Sequence, residues 1–269
     1  MSVITISRGS FSGGKTLAEC LAVTLGYRCV DRDAIVERAA AFGVSQEELM
    51  DALLKPPTFL DRFRHKRYIY LTLIQAALAE EVRDGKAVYH GNAGHLLLKG
   101  GPHVLRVRII APLELRVPMV QERLKLSRAE ALSYIQKVDE DRRKWTQYLY
   151  GVDWRDSSTY DVVLNLEHIS IPEACDVVCT IVRQKCFEFT PERQAAMNDL
   201  VLASRIRANL AIDPPTSHLE VEVTASRGAV RIVGNLTAPE ELEQVRRVSS
   251  AVPGVVSINL NDLASTARM

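Results

Sequence analysis

The sequence lacks any long hydrophobic run and any large excess of one charge. Its first apolar stretch, residues 3–6, is far shorter than the hydrophobic segment of a secretory signal, and no stretch approaches the length of a membrane span. The 34 Lys and Arg against 33 Asp and Glu give a net charge of +1, so the chain as a whole carries no electrostatic signal for nucleic acid or an anionic membrane. We therefore expect a cytoplasmic protein in which any anion site is local.

Cysteine is scarce, and its spacing lacks the paired CxxC pattern of a zinc site. The five cysteines are Cys20, Cys29, Cys175, Cys179 and Cys186. Their odd number and apolar surroundings predict reduced thiols in the core rather than disulfides. Cys175 and Cys179 would share one face of a helix, but the sequence indicates no third metal ligand.

Lysine is absent after residue 185. From Thr190 to Met269 the chain has eight Arg, no Lys and nine Asp or Glu, whereas 26 basic and 24 acidic residues precede this region. The shift predicts two domains, which span residues 1–187 and 191–264. In the second, the periodicity predicts a helix over 191–210, strands over 219–224 and 229–234, a helix over 239–251 and a strand over 255–260. Such an αββαβ unit is large enough to fold alone.

The first domain alternates short apolar runs with stretches of helical periodicity. The predicted strands are 3–6, 28–30, 87–89, 104–110 and 161–165, and the predicted helices are 15–25, 34–41, 64–83, 113–124 and 128–148. Ser45 with Glu48 and Ser127 with Glu130 have the spacing of capping boxes. This alternation predicts an α/β fold with a five-stranded parallel sheet flanked by helices.

A glycine-rich loop lies between the first strand and the first helix. Its sequence GSFSGGKT, residues 9–16, has the spacing G-x-x-x-x-G-K-[ST], in which glycines let backbone N–H groups surround phosphate oxygens. Lys15 would reach the terminal phosphates, and Thr16 would bind Mg²⁺. The predicted phosphate-binding residues are Gly9, Ser12, Gly13, Gly14, Lys15 and Thr16. The motif predicts a nucleotide without identifying the reaction.

Arginines on two later helices could cover such a phosphate. Phosphoryl transfer needs cations over the transferring group, because its transition state spreads negative charge over the equatorial oxygens. The candidates are Arg116, Arg123, Arg142 and Arg143. Alternatively, these are solvated surface charges paired with Glu122, Asp139 and Asp141.

Residues 1–187 resemble the cytidylate kinase-like family of P-loop nucleoside monophosphate kinases. Tyr27, Asp31 and Arg32 match the family's second strand. The lid pattern K-x-D-x-x-R is matched by Lys137, Asp139 and Arg142, and the last strand by Tyr160, Asp161, Val163 and Asn165. The resemblance implies Mg²⁺-dependent transfer of the γ-phosphoryl group of ATP to a nucleoside monophosphate. It implies catalytic roles for Lys15, Arg116, Asp139 and Arg142.

The acceptor side departs from that family. Asn92 stands where relatives carry an arginine after the third strand, His90 replaces an aspartate, and Arg32 replaces a small hydroxyl residue. Asparagine cannot form the bidentate ionic contact that arginine forms with phosphate. We predict that Asp31, Arg32 and Asn92 bind the acceptor, although Asp31 could instead cap a helix and His90 or His95 could contact phosphate or be structural.

These departures leave two other functions open. One is a catalytically weak nucleotide-binding sensor, in which the second domain binds a partner or ligand in response to nucleotide. The other is a kinase for a different small metabolite.

Residues 197–261 resemble a BON domain. The matching stretches are RANLAIDP, VTASRGAVRIVGNL and VPGVVSINL. Gly228 is expected to adopt a positive φ in the turn, and Gly234 to relieve crowding at the end of a strand. The resemblance implies a binding module, and the absence of lysine favours a protein partner, self-association or a small ligand over a membrane.

Two other segments could suggest a base or RNA contact. Trp145, Tyr148 and Tyr150 are expected to pack the end of the lid helix, with stacking on a base as the alternative. The basic run RFRHKRYIY, residues 62–70, predicts the start of an amphipathic helix rather than an RNA site.

Overall fold

The computed structural model describes residues 2–55 and 64–265, and within them the region from Val3 to Asn165 contains a parallel β-sheet. Its strands are β1 (Val3–Arg8), β2 (Arg28–Asp31), β3 (Ala87–His90), β4 (Val104–Ile110) and β5 (Val162–Asn165). Their order is β2-β3-β1-β4-β5, and every neighbouring pair is parallel. The predicted five-stranded parallel sheet is confirmed, and the strand ends differ from the predicted ones by at most two residues.

Helices cover both faces of this sheet. They are α1 (Gly14–Leu25), α2 (Arg32–Ala40), α3 (Gln46–Leu54), α4 (Arg64–Glu81), α5 (Gly94–Leu97), α6 (Leu113–Leu124), α7 (Arg128–Tyr150) and α8 (Ile171–Val182). Val3 and Tyr89 pack on α2, α3 and α4, whereas Ile4 and Val88 pack on α1 and α8. Successive strand residues point to opposite faces, so a sheet covered on both sides has nearly continuous apolar strands.

Some local expectations need correction. The Ser127–Glu130 capping box is formed. At Ser45 only half of the box is present: the Ser45 hydroxyl accepts from the Glu48 amide, whereas the Glu48 carboxylate binds Lys66 and Tyr70. The basic run does open α4 at Arg64, while residues 62 and 63 lie outside the described residues.

The cysteine prediction holds for only part of the set. Cys175 and Cys179 are buried on α8, whereas Cys29 and Cys186 are exposed, so the core prediction is wrong for those two. Cys29 is exposed because β2 is an edge strand on which only Val30 is buried. All five thiols are free.

The C-terminal region has the predicted order of elements. These are α9 (Pro191–Ile212), β6 (Glu222–Ser226), β7 (Ala229–Leu236), α10 (Glu241–Ser250) and β8 (Ser257–Ser265). β7 pairs antiparallel with β6 and parallel with β8. Gly228 has the expected positive φ, +80°, and a Cβ on Gly234 would lie 3.0 Å from the Val221 side chain. Both glycines therefore occupy the positions that their turn and strand roles predict.

Helix α9 belongs to two hydrophobic clusters. Met197 and Val201 pack with α4, whereas Leu202 and Ile206 pack with the three-stranded sheet. Arg205 also forms an ion pair with Glu80 of α4. Among the described residues, no helix combines the length and the hydropathy needed to cross a membrane.

A buried carboxylate in the C-terminal region makes the stability of this region depend on pH. Glu241 accepts hydrogen bonds from the Thr237 amide at 2.7 Å and from His218 at 2.8 Å. Burial alone would raise its pKa, but the hydrogen bonds from Thr237, Ala238 and His218 lower the pKa to about 2. The unfolded value is about 4.3, so this stabilisation is complete above pH 4.3 and is lost as the pH falls towards 2.

Glu241→Gln is expected to lower the free energy of unfolding by about 1–2 kcal/mol at pH 7 and to flatten its decline in acid. Urea unfolding at several pH values between 7 and 2 would measure both effects. The exposed Glu243→Gln is the matched control on the same helix. Identical pH profiles for the two variants would contradict the conclusion that the Glu241 carboxylate stabilises this region.

Candidate functional site

The glycine-rich loop wraps from the end of β1 to the first turn of α1, as predicted. Gly13 has a φ of +81° and Phe11 a φ of +58°, and Ser12 donates its hydroxyl to the Gly9 carbonyl oxygen at 3.0 Å. A Cβ on Gly9 would lie 3.2 Å from the Arg116 guanidinium. The loop therefore needs glycine at position 9 for close packing and at position 13 for its backbone conformation.

This loop borders a cavity of about 650 Å³. The ends of β2 and β3 form one side of the cavity, and α6 and α7 form another, as expected at the carboxyl edge of a parallel sheet. The predicted site residues that line it are Ser12, Gly13, Gly14, Lys15, Thr16, Asp31, Arg32, Asn92 and Arg142. Gly9, Arg116 and Asp139 are not among its lining residues.

Lys15 and Thr16 lie exposed on the first turn of α1, beside the cavity. The Lys15 ammonium is 3.7 Å from Glu19, one turn further along the helix. A helix N-terminus attracts anions because its first N–H groups have no partner within the helix. The two side chains and the N–H groups of this first turn therefore suit a phosphate chain.

Arg116 and Asp139 bind the backbone of the loop without lining the cavity. Arg116 donates to the Ser10 carbonyl oxygen at 2.7 Å and to Asp139 at 2.6 Å, and Asp139 accepts from the Ser10 amide at 3.1 Å. Arg116 is only 8% exposed. These two residues, which were predicted to be catalytic, therefore position the loop: their charged groups bind each other and the backbone of Ser10.

Arg142 is a predicted lid arginine that lines the cavity. It donates to the Arg8 carbonyl oxygen, and its guanidinium lies 5.0 Å from the centre of the Trp154 ring. Burial, together with the charges of Arg8 and Arg116, lowers the pKa of Arg142 to about 10, although Asp139 acts in the opposite direction. The guanidinium remains charged at neutral pH in a partly dehydrated site.

Of the other lid arginines, one fits a lid over the phosphate and one fits a solvated surface charge. Arg123 lines the cavity, with its guanidinium 5.8 Å from the centre of the Phe11 ring. Arg143 instead pairs with Glu140 at 2.6 Å and is not a lining residue. Arg143 therefore fits the surface-charge alternative, with a partner other than those expected.

The predicted acceptor residues line the cavity, but two of them also have structural roles. Asp31 caps α2 by accepting from the Ala34 amide at 2.9 Å, and Asn92 donates its amide to the Leu53 carbonyl oxygen at 2.9 Å. Arg32 pairs with its neighbour Asp33 at 2.9 Å. The Asn92 side chain thus fixes the wall formed by α3.

Both histidines near β3 are buried. His90 lies 3.5 Å from Arg8, and burial lowers its pKa, with Arg8 acting in the same direction. The His95 ring packs 4.5 Å from the Tyr160 ring, and burial lowers its pKa to about 3. His95 is therefore neutral and does not line the cavity, whereas His90 does.

Trp145 borders the cavity, but its side chain is packed against the protein and not exposed for stacking. It is 1% exposed, and its indole N–H donates to the Ala52 carbonyl oxygen at 2.8 Å. Tyr150 packs against it with ring centres 5.7 Å apart, while Tyr148 is exposed and is not a lining residue. The helix-end packing predicted for these aromatics is confirmed for Trp145 and Tyr150.

Sequence reasoning missed several cavity residues, of which Arg8 and Phe11 are two. Arg8 ends β1 immediately before the loop, and Phe11 lies inside the loop with its ring 6.3 Å from that of Tyr134 on α7. A charged residue at the end of an otherwise buried strand was the available signal for Arg8. No pattern in the sequence indicates the contact of Phe11.

The sequence matches the model of the cytidylate kinase-like family over residues 3–168. A cytidylate kinase from Ignicoccus hospitalis is 32% identical over 187 residues, which cover 68% of this chain and 98% of that protein. A cytidylate kinase from Pyrococcus horikoshii is 30% identical over 165 residues, which cover 61% of this chain and 79% of that protein.

Among solved structures, an uncharacterised protein from Eubacterium ventriosum superimposes with a TM-score of 0.54 at 19% identity. The superposition covers 67% of this chain and 97% of that one, and it shows a shared fold. The chain belongs to the cytidylate kinase-like family.

Proposed function

We propose that this protein transfers the γ-phosphoryl group of ATP to a nucleoside monophosphate with the help of Mg²⁺. The supporting observation is that the glycine-rich loop and the acceptor-side residues line one cavity. Donor and acceptor phosphates bound there would lie next to each other, which supplies the proximity that phosphoryl transfer requires.

The donor side contributes charge at fixed positions. The N–H groups at the start of α1 and the Lys15 ammonium would bind the terminal phosphates of ATP, and Arg142 would stabilise the transferring group. Thr16 would hold Mg²⁺, which when bound would supply positive charge close to the phosphates. Because Arg142 is partly dehydrated, its interaction with developing negative charge is stronger than it would be in water.

Arg116 and Asp139 contribute by fixing the loop. Their bonds to both the amide and the carbonyl of Ser10 restrain the backbone that would surround the phosphates. On the acceptor side, Arg32 lines the cavity beside Asp31 and Asn92. Asp31 and Asn92 would shape that side through their contacts with α2 and α3.

A transfer assay with the full chain tests this proposal. ATP·Mg²⁺ would be incubated with CMP, UMP, AMP and GMP, and the diphosphate products would be separated by ion-exchange chromatography. CMP comes first because the similar proteins are cytidylate kinases. We expect formation of a nucleoside diphosphate with one acceptor or a few. ATP binding without transfer to any acceptor would overturn the kinase proposal.

We further propose that residues 191–264 form a BON-type binding module for a protein partner or a second copy of the chain. The order of α9, β6, β7, α10 and β8 supports this assignment, and their own hydrophobic cluster supports the proposed boundaries. The module carries no lysine. Attraction to an anionic membrane would therefore be weak.

The alternative function, a nucleotide-responsive sensor, is favoured by the contacts of α4. Its Tyr68 donates to the Val221 carbonyl oxygen of the module at 3.2 Å, and its Tyr70 donates to Glu48 of α3 at 2.7 Å. α3 also carries Leu53, which lines the cavity. Sedimentation of the full chain with and without ATP tests this alternative, which requires a change in self-association and no phosphoryl transfer.

A further inference from the structure

Arg8 runs from the end of β1 towards the acceptor side of the cavity. Its guanidinium donates to His90 Nδ1 at 3.5 Å, at the end of β3, and the side chain lines the cavity. The charge of Arg32, which follows β2, also acts on Arg8, and Lys15 and Thr16 line the same cavity from the first turn of α1. Arg8 thus lies between the end of β3 and the start of α1.

Gly14 leaves room for this course of the Arg8 side chain. A Cβ on Gly14 would lie 2.4 Å from Cδ and 3.0 Å from Cβ of Arg8. Gly14 begins α1, so its backbone conformation does not itself demand glycine. The space is occupied by the Arg8 methylene groups, and the loop therefore contains a glycine whose packing role is to accommodate this arginine.

Arg8 lacks an ionic partner among the described residues. Arg32 pairs with Asp33 and Arg116 with Asp139, but no carboxylate lies within 4.0 Å of Arg8 in the described chain. Burial lowers its pKa, and the charge of Arg32 lowers it further. A partly buried cation without a carboxylate is costly unless an anion arrives to compensate its charge.

We propose that Arg8 binds the phosphate of the acceptor, which is a phosphomonoester such as a nucleoside monophosphate. This inference rests on the proposed function. The planar guanidinium can form two parallel hydrogen bonds to phosphate oxygens, a contact that the committed amide of Asn92 cannot make. His90 holds one edge of the guanidinium and leaves the rest directed at the cavity.

The test is calorimetric binding to the full chain. The ligands are ATP, the four nucleoside monophosphates and the corresponding nucleosides, and the variants are Arg8→Gln and Arg8→Lys. Arg128→Gln is the matched control, because Arg128 is exposed, pairs with Glu114 and does not line the cavity. Circular dichroism checks that each variant is folded.

We expect Arg8→Gln to weaken monophosphate binding roughly 10- to 100-fold, as for loss of a charged hydrogen-bonding group. Binding of ATP and of the nucleoside should change by less than about twofold. Arg8→Lys keeps the charge without the planar fork, so its loss should be intermediate. If Arg8→Gln does not fold, the intermediate loss in Arg8→Lys decides the question.

The proposal is overturned if the Arg8 variants weaken ATP binding as much as monophosphate binding, or if monophosphate binding is unchanged. It is also overturned if the wild-type chain binds ATP but none of the monophosphates. Monophosphate binding that depends on Arg8, without any transfer, would support the inference while refuting the kinase proposal. The two failures are therefore distinguishable.

Discussion

Lys15→Ala is expected to abolish measurable phosphoryl transfer while leaving the fold intact. The Lys15 side chain is 65% exposed, and its ion-pair partner in the described chain is Glu19, one helical turn away. Such a pair contributes about 0.2–0.5 kcal/mol to stability. By contrast, removing a fixed charge that stabilises the transition state lowers kcat on the order of 10²- to 10³-fold.

Three measurements separate these effects for Lys15→Ala. Diphosphate formation measures transfer, calorimetry measures ATP affinity, and thermal unfolding measures stability. Lys99→Ala is the matched control, because Lys99 is also exposed but does not line the cavity. If Lys15→Ala had unchanged ATP affinity and normal turnover, the proposal that the loop binds the phosphates of ATP would be wrong.

The strand–loop–helix unit was predictable because its information is local. The spacing of Gly9, Gly14, Lys15 and Thr16 specifies a tight turn into a helix, and the structure forms that turn. Short apolar runs between helical stretches likewise predicted the five strands, because the central strands are covered on both faces and even the edge strand β2 buries Val30. These features require no knowledge of distant contacts.

The roles of the distant residues could not be predicted in the same way. Arg116 and Asp139 are more than 100 residues from Ser10, and helical periodicity does not show which of their atoms meet the loop. For the same reason the sequence could not show that Asn92 is committed to Leu53. Arg8 was missed because its partners, His90 and Gly14, come together only in the folded sheet.

Helical periodicity also did not predict how α9 packs against two parts of the chain. α9 buries Met197 and Val201 against α4 and Leu202 and Ile206 against the C-terminal sheet. A helix with apolar residues on more than one side does not reveal which side meets which neighbour. The change in composition near residue 190 predicts a boundary, but not the shared helix that joins the two clusters.

Asp139→Asn is expected to lower both stability and activity, because it leaves a buried arginine without its carboxylate. Arg116 is 8% exposed, and breaking a buried ion pair by removing one partner costs about 3–5 kcal/mol of unfolding free energy. Arg116→Met should cost less, because the Asp139 side chain is 23% exposed and still accepts from the Ser10 amide. Denaturant unfolding of both variants measures this asymmetry.

The double variant Arg116→Met/Asp139→Asn distinguishes positioning from catalysis. If the pair positions the loop, the two substitutions should show a coupling energy of about 1–3 kcal/mol in the free energy of unfolding. The double variant should then be at least as active as the less active of the two single variants. The single variants should weaken ATP binding as well as lower kcat, since both effects arise from a displaced loop. A fall in kcat with unchanged ATP affinity and unchanged stability would instead mean that Arg116 touches the transferring group.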